Sequence, residues 1–282
     1  MRASLVLFTI FFSQFSFSYI PDYKMIMSRV AENHGRGFYK IVQDVVFPAE
    51  PEPLIIEETW IVGGEYDMAV SLKGKGVLSN KVSGTIVYES QRKIYKDSSL
   101  KTARLPDDFI EPFFQFRFSK NIKPKLVAMK MAPAESLKDR PPFHGEKTDA
   151  FPVQPFLRLS RSGGVVTYAI GTPTPTNQTD ENPGLWIEQD RFHIRKLRTE
   201  SNATVMASGY SNYPRKMFFP KTRQYSWDNH SVQVLLGDLV PLPSSTQVKA
   251  LTSPKILNEN SQNSTLSLPE VESIRDFYKR FR

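Results

Sequence analysis

A chain of 282 residues with 40% hydrophobic side chains can bury one large core, and its 21 prolines against 14 glycines argue against long uninterrupted helices. The absence of cysteine excludes disulfide staples and a lipid-modified N-terminal Cys. The net charge of +8 is spread over scattered basic residues without a zinc-finger or RNP pattern, so nucleic acid is not an expected partner, while anionic surfaces or acidic partners fit the charge.

Residues 1–18, "MRASLVLFTIFFSQFSFS", pair one Arg with a short apolar run and small residues at Ser16 and Ser18. This is the layout of a secretory signal peptide cut after Ser18, and no later segment is apolar enough to remain in a membrane. An exported chain without disulfides fits a bacterial periplasm. Four Asn-x-Ser/Thr sites (Asn177, Asn202, Asn229 and Asn263) would be glycan acceptors only in a eukaryotic secretory pathway.

A short amphipathic helix comes next. Asp22 can cap it, Tyr23, Ile26, Met27 and Val30 share one face, and Gly35 and Gly37 stop it. The period then changes to two. "FYKIVQDVVF" puts Tyr39, Ile41, Val45 and Phe47 on one face with Gln43 among them. "LIIEETWIVGG" and "EYDMAVSLKG" read as two strands joined at Gly63-Gly64, and "GTIVYESQRKIYKD" as one or two more.

Residues 100–155 are the least regular part, a Phe-rich and Pro-rich segment that reads as a lid or insertion. A helix is expected from Asp107, limited by Pro112, with the Asp107–Asp108 pair at its N-terminus. Strands return from Pro155 and bring the expected total to about ten or eleven. Residues 244–268 read as a flexible Ser/Asn/Thr-rich linker. Residues 269–282 regain helical spacing through Val271, Ile274, Phe277, Tyr278 and Phe281. Docking of this helix on the chain's own domain is favoured over docking on a partner, because short isolated helices are unstable.

The expected fold is therefore mainly β. A single curved antiparallel sheet over residues 19–243 needs a second sheet, barrel closure or covering helices to shield one face, and the N-terminal helix and the Phe-rich middle segment are the candidates for cover.

Catalytic chemistry finds little support. Glu57 and Glu58 lie adjacent in a strand, so they face apart and cannot act as an acid–base dyad. The four histidines show no metal-ligand spacing, and no nucleophile elbow, Walker or dinucleotide glycine pattern occurs. No catalytic residue, metal or cofactor is expected. Trp60 shares its strand face with Glu58.

The order of signal peptide, short helix, "FYKIVQDVVF", "EETWIVGG" and "YDMAVSLKG" resembles the start of LolA/LolB-like lipoprotein-sorting proteins. Tyr39 to Gln43 matches that family's aromatic-x-x-x-Gln element. The stretch from "GLWIEQDRFHIRKLR" to "VQVLLGDLVPL" looks like the family's second half, so the resemblance spans about residues 20–243. It implies an incomplete barrel that binds lipoprotein acyl chains or another hydrophobic ligand without catalysis, with lipid or an acylated protein as partner. The expected ligand-facing side chains are Tyr39, Ile41, Val45, Phe47, Trp60, Phe113, Phe114, Trp186 and Phe192, with Gln43, Glu58 and Arg92 as polar candidates. Arg92 is the candidate for the family's functional Arg. The long segment 100–155 and the added C-terminal linker and helix depart from the family pattern. Two other readings stay open: an envelope interaction or sensor module that recruits a protein through the C-terminal helix, and a hydrolase with a dispersed triad.

Overall fold

Asp22 accepts a hydrogen bond from the Met25 amide at 2.8 Å, which satisfies one orphan donor of helix α1 (Tyr23–Glu32). The apolar face read from the sequence (Tyr23, Ile26, Met27 and Val30) is buried. The computed structural model describes residues 20–64, 67–110, 113, 116–137, 156–259 and 265–282. The signal-peptide reading, Phe114 and most of the Pro-rich stretch after Leu137 lie outside the described residues.

Among the described residues, thirteen strands form one antiparallel sheet. The first half is a meander of β1 (Phe38–Phe47), β2 (Leu54–Val62), β3 (Met68–Lys75), β4 (Ser83–Glu89), β5 (Arg92–Lys96) and β6 (Leu100–Arg104). The second half is β7 (Leu157–Ser162), β8 (Val165–Ile170), β9 (Gly184–Glu188), β10 (Ile194–Arg198), β11 (Thr204–Tyr213), β12 (Met217–Trp227) and β13 (His230–Leu242). The two meanders join along β1 and β13, and the order runs from β6 at one edge to β7 at the other, so the sheet is open.

The strand total exceeds the expected ten or eleven for a physical reason. Every residue of β6 is exposed, so it shows no alternation to read, and the Ser90–Gln91 turn divides "YESQRKIY" into β4 and β5.

One face of the sheet carries the core. Along β1, Tyr39, Ile41, Gln43, Val45 and Phe47 are all fully buried, and so are Ile56, Glu58, Trp60 and Val62 on β2. The register sets Ile41 opposite Trp60, Gln43 opposite Glu58 and Val45 opposite Ile56. A one-residue bulge at Gly237 of β13, between the partners of Val42 and Gln43, keeps this face inward on the neighbouring strand.

The helix expected from Asp107 does not form. Asp107 and Asp108 lie in a turn, and helix α2 (Ser119–Ala128) starts a dozen residues later, burying Ile122 and Leu126 beside α1. Asp108 has a tertiary partner instead: it is buried and accepts from Arg280 Nε at 2.7 Å.

After β13 the chain forms α3 (Thr246–Ala250) and α4 (Ile256–Glu259). Leu257 joins Ala69, Val87 and Ile94 in a small cluster on the sheet's other face. Residues 265–267 then bridge to Lys96 and Ser83. Gly84 permits this crossing: its φ is +126°, and a Cβ there would stand 2.5 Å from the Leu266 backbone. Helix α5 (Glu272–Arg280) ends on the core side of the sheet, with Ile274, Phe277, Tyr278 and Phe281 buried.

Candidate functional site

Of the residues expected to meet a ligand on β1 and β2, Phe47 meets α5 and Trp60 meets Arg282, whereas the Tyr39 hydroxyl donates to the Pro214 carbonyl at 3.1 Å and its ring lies under Arg117. Phe47 packs edge-on against Phe277, with ring centroids 5.5 Å apart. Tyr225 of β12 meets both Phe277 and Phe281 at 5.3 Å. Arg282, just past the helix, is fully buried, and its guanidinium lies over the rings of Phe277 at 4.8 Å and Trp60 at 5.5 Å. The stretch of the core face around Phe47, Trp60 and Tyr225 is thus covered by the chain's own Phe277, Phe281 and Arg282.

A polar chain runs through this apolar seat. Glu58 accepts from Gln43 Nε2 at 2.6 Å, from Trp60 Nε1 at 2.9 Å and from Arg282 Nε at 3.0 Å. Gln43 in turn accepts from Arg223 Nη2 at 2.6 Å. Arg282 Nη1 also donates to the Ile110 carbonyl at 3.1 Å. Burial pushes the Glu58 carboxyl up, but the Arg282 guanidinium and the hydrogen bonds from Arg282, Trp60 and Gln43 outweigh it and hold the group below its ordinary value. Burial lowers Arg282, and Glu58 reverses this and raises it. Burial brings Arg223 down to about 10. Arg223 Nε and Nη1 and Arg282 Nη2 have no hydrogen-bond partner, although they are buried. Arg282 thus pairs directly with the one carboxylate and Arg223 reaches it only through Gln43, so two guanidiniums are buried around a single acid, an expensive arrangement for a part that only fills space.

Further contacts hold α5 along its C-terminal half. Lys93 donates to the backbone oxygens of Tyr278 at 2.9 Å and Arg282 at 2.7 Å, placing a cation at the helix C-terminus. Burial brings Lys93 down to about 8, with Arg282 adding to the effect. Trp227 Nε1 donates to Asp276, and Arg280 reaches both Asp108 and Asp228.

Of the remaining candidates, Phe113 borders this seat, and Phe192, Trp186 and Arg92 lie apart from it. Phe113 is buried at positive φ between Tyr210 and Phe219, close to Arg223. Phe192 is half-buried, stacked on Tyr168 at 6.0 Å. Trp186 belongs to the other face: its neighbours Leu185 and Ile187 enter the core, while Trp186 lies under Lys196 beside the 173–181 loop. Arg92 is exposed at the β4–β5 turn, so the guanidiniums inside the seat are Arg223 and Arg282. Both carried a readable signal. Arg223 is in phase with Tyr225 and Trp227 on β12, and Arg282 follows Ile274 and Tyr278 at helical spacing.

Glu57 points the other way and pairs with Lys75 at 3.0 Å on the outer face. Among the described residues, no three His, Asp or Glu side chains converge as metal ligands. None of the described helices is long and apolar enough to cross a membrane.

No protein-family model matches the chain, and no curated protein does. Among solved structures it is similar to a putative outer membrane lipoprotein-sorting protein domain from Vibrio parahaemolyticus, at 12% identity and TM-score 0.48, over 82% of this chain and 98% of that one. It is similar to a LolA superfamily protein from Nitrosomonas europaea at 10% identity and TM-score 0.48, over 81% and 97%. A DUF1329 family protein from Desulfovibrio piger gives 7% identity and TM-score 0.49, over 83% and 96%.

Proposed function

We propose that this chain is an exported, periplasmic, non-catalytic carrier whose concave face takes the acyl chain of a lipid or lipoprotein in exchange for its own C-terminal helix. The observation that carries the reading is the occupancy of that face. Phe47, Trp60 and Tyr225 hold α5 through its Phe277 and Phe281 and through Arg282. The occupant enters at the end of a tail from β13 and is fixed by the buried Glu58–Arg282 ion pair. The resemblance of residues 20–243 to LolA/LolB-like proteins and the signal-peptide layout support the ligand class and the compartment.

The test is the full chain titrated with a fluorescent fatty acid, alongside the Phe277→Ala variant. If helix and ligand compete, weakening the helix raises ligand affinity, by about tenfold for a destabilised occupied state. Truncating an ordinary core residue gives the opposite sign. A native-folded Phe277→Ala variant that binds no more tightly than the parent sinks the exchange reading.

A second reading, an envelope interaction module, draws on the same covered face. It predicts capture of a protein partner by the intact fold with no fatty-acid binding at all.

A further inference from the structure

A groove of about 760 Å3 opens where α1 ends and α2 begins, and its lining is strongly basic. Arg36, Arg117, Lys120, Arg215 and Lys216 all contribute, against the single acid Glu32, which is paired with Arg29 at 3.1 Å. Arg36, Lys120, Arg215 and Lys216 are exposed and make no ion pair among the described residues.

Two of the guanidiniums are held in place by backbone carbonyls. Arg117 donates to Gly37 and Gly63 at 2.6 Å and to His34 at 3.2 Å. Arg215 donates to Leu242 at 3.0 Å, on a backbone at positive φ that Lys216 continues. Arg215 also lies close over Gly37, where any Cβ would stand 2.8 Å from its Nη1.

A second feature points at the same groove. Helix α2, ten residues long, begins on it with Phe118, Ser119 and Lys120. Its N-cap has no side-chain hydrogen bond, and its first turn carries no acid. The amides of Ser119 and Lys120 and the positive end of a helix dipole therefore add to the exposed cations of Arg36, Lys120, Arg215 and Lys216. Like charges gathered around one groove repel, and a bound anion offsets that repulsion. Phe118, 51% exposed, supplies an apolar surface at the rim.

We infer that this groove binds a phosphate group, gripped by the guanidiniums and by the first amides of α2. A tetrahedral dianion or diester accepts from several such donors at once. The group can arrive as free phosphate or on the head of an anionic lipid, whose glycerol end would rest on Phe118.

The experiment is calorimetric titration of the full chain with inorganic phosphate and, separately, with dihexanoyl phosphatidic acid below its micelle concentration. Lys216→Glu combined with Arg36→Glu removes two cations of the groove. Two substitutions of the same charge elsewhere, Lys221→Glu with Lys73→Glu, control for net charge. Binding of either ligand that falls about tenfold or more in the groove variant, and changes little in the control, supports the site. Competition between the two ligands identifies free phosphate as sufficient; binding of the lipid alone identifies the headgroup. Absence of both at millimolar ligand, or equal weakening in the groove and control variants, overturns the inference. Inorganic phosphate has no acyl chain, so this result stands apart from the exchange of α5.

Discussion

The helices α1 and α5 both close the core side of the sheet, but they are held by different physics. The α1 face is apolar throughout, and its burial is non-directional and tolerant. The α5 face combines Ile274, Phe277, Tyr278 and Phe281 with a buried ion pair at Arg282 and peripheral clasps at Asp276 and Arg280. Buried pairs add little net stability when intact, yet cost heavily when one member is lost. Such an attachment can be undone at a single point, whereas α1 cannot.

The largest effect tests that contrast. Glu58→Ala leaves Arg282 buried without its carboxylate and is expected to cost about 3–5 kcal/mol in urea denaturation. Replacing both members, Glu58→Met with Arg282→Met, is expected to recover part of the loss, because Arg223 alone then stays buried without a carboxylate. A double variant as weak as the single one would show that the pair is not what fastens α5. On the other helix, Ile26→Ala is expected to cost about 3 kcal/mol through the cavity it leaves. Hydrogen exchange should show α5 amides still protected in Ile26→Ala and exposed first in Glu58→Ala.

Acid sharpens the comparison. Burial brings His34, beside the end of α1, down from 6.5 to about 4, and Arg117 and Lys125 work in the same direction. His193 also falls to about 4, through burial and then Arg191 and Arg195. The unfolded chain takes up these protons first, so their contribution is complete above pH 6.5 and is lost as pH falls toward 4. His34→Gln should flatten that slope by on the order of 2 kcal/mol. Glu58, lowered by Arg282, contributes stability that is lost only as pH falls below its ordinary 4.5. Acid should therefore loosen the α1 end before the α5 attachment, and pH-dependent hydrogen exchange reads the order directly. The smallest effect is Asp22→Ala, expected to cost about 1 kcal/mol for the lost cap of α1.

The periodic parts of this fold were legible. The α1 face, the inward face of β1 and the opposite pointing of Glu57 and Glu58 all follow from spacings of 3.6 and 2. β6 was not legible, because an exposed edge strand need not alternate. The position of α2 was misread because Asp107 and Asp108 look like a helix start, while Asp108 serves as a distant partner for Arg280. The occupancy of the seat escaped for a related reason. Periodicity shows that a helix has an apolar face but not which surface it covers, and Glu58 and Arg282 stand 224 residues apart. Charged residues in phase with apolar ones, as at Arg223 and Arg282, are the trace that such a pairing leaves in sequence.

Hydrogen exchange on the full chain, with and without a saturating fatty acid, tests the exchange of helix for ligand most directly. Amides of residues 272–280 should lose protection when ligand is added, while those of residues 23–32 keep theirs. Ligand bound with α5 still fully protected would contradict it.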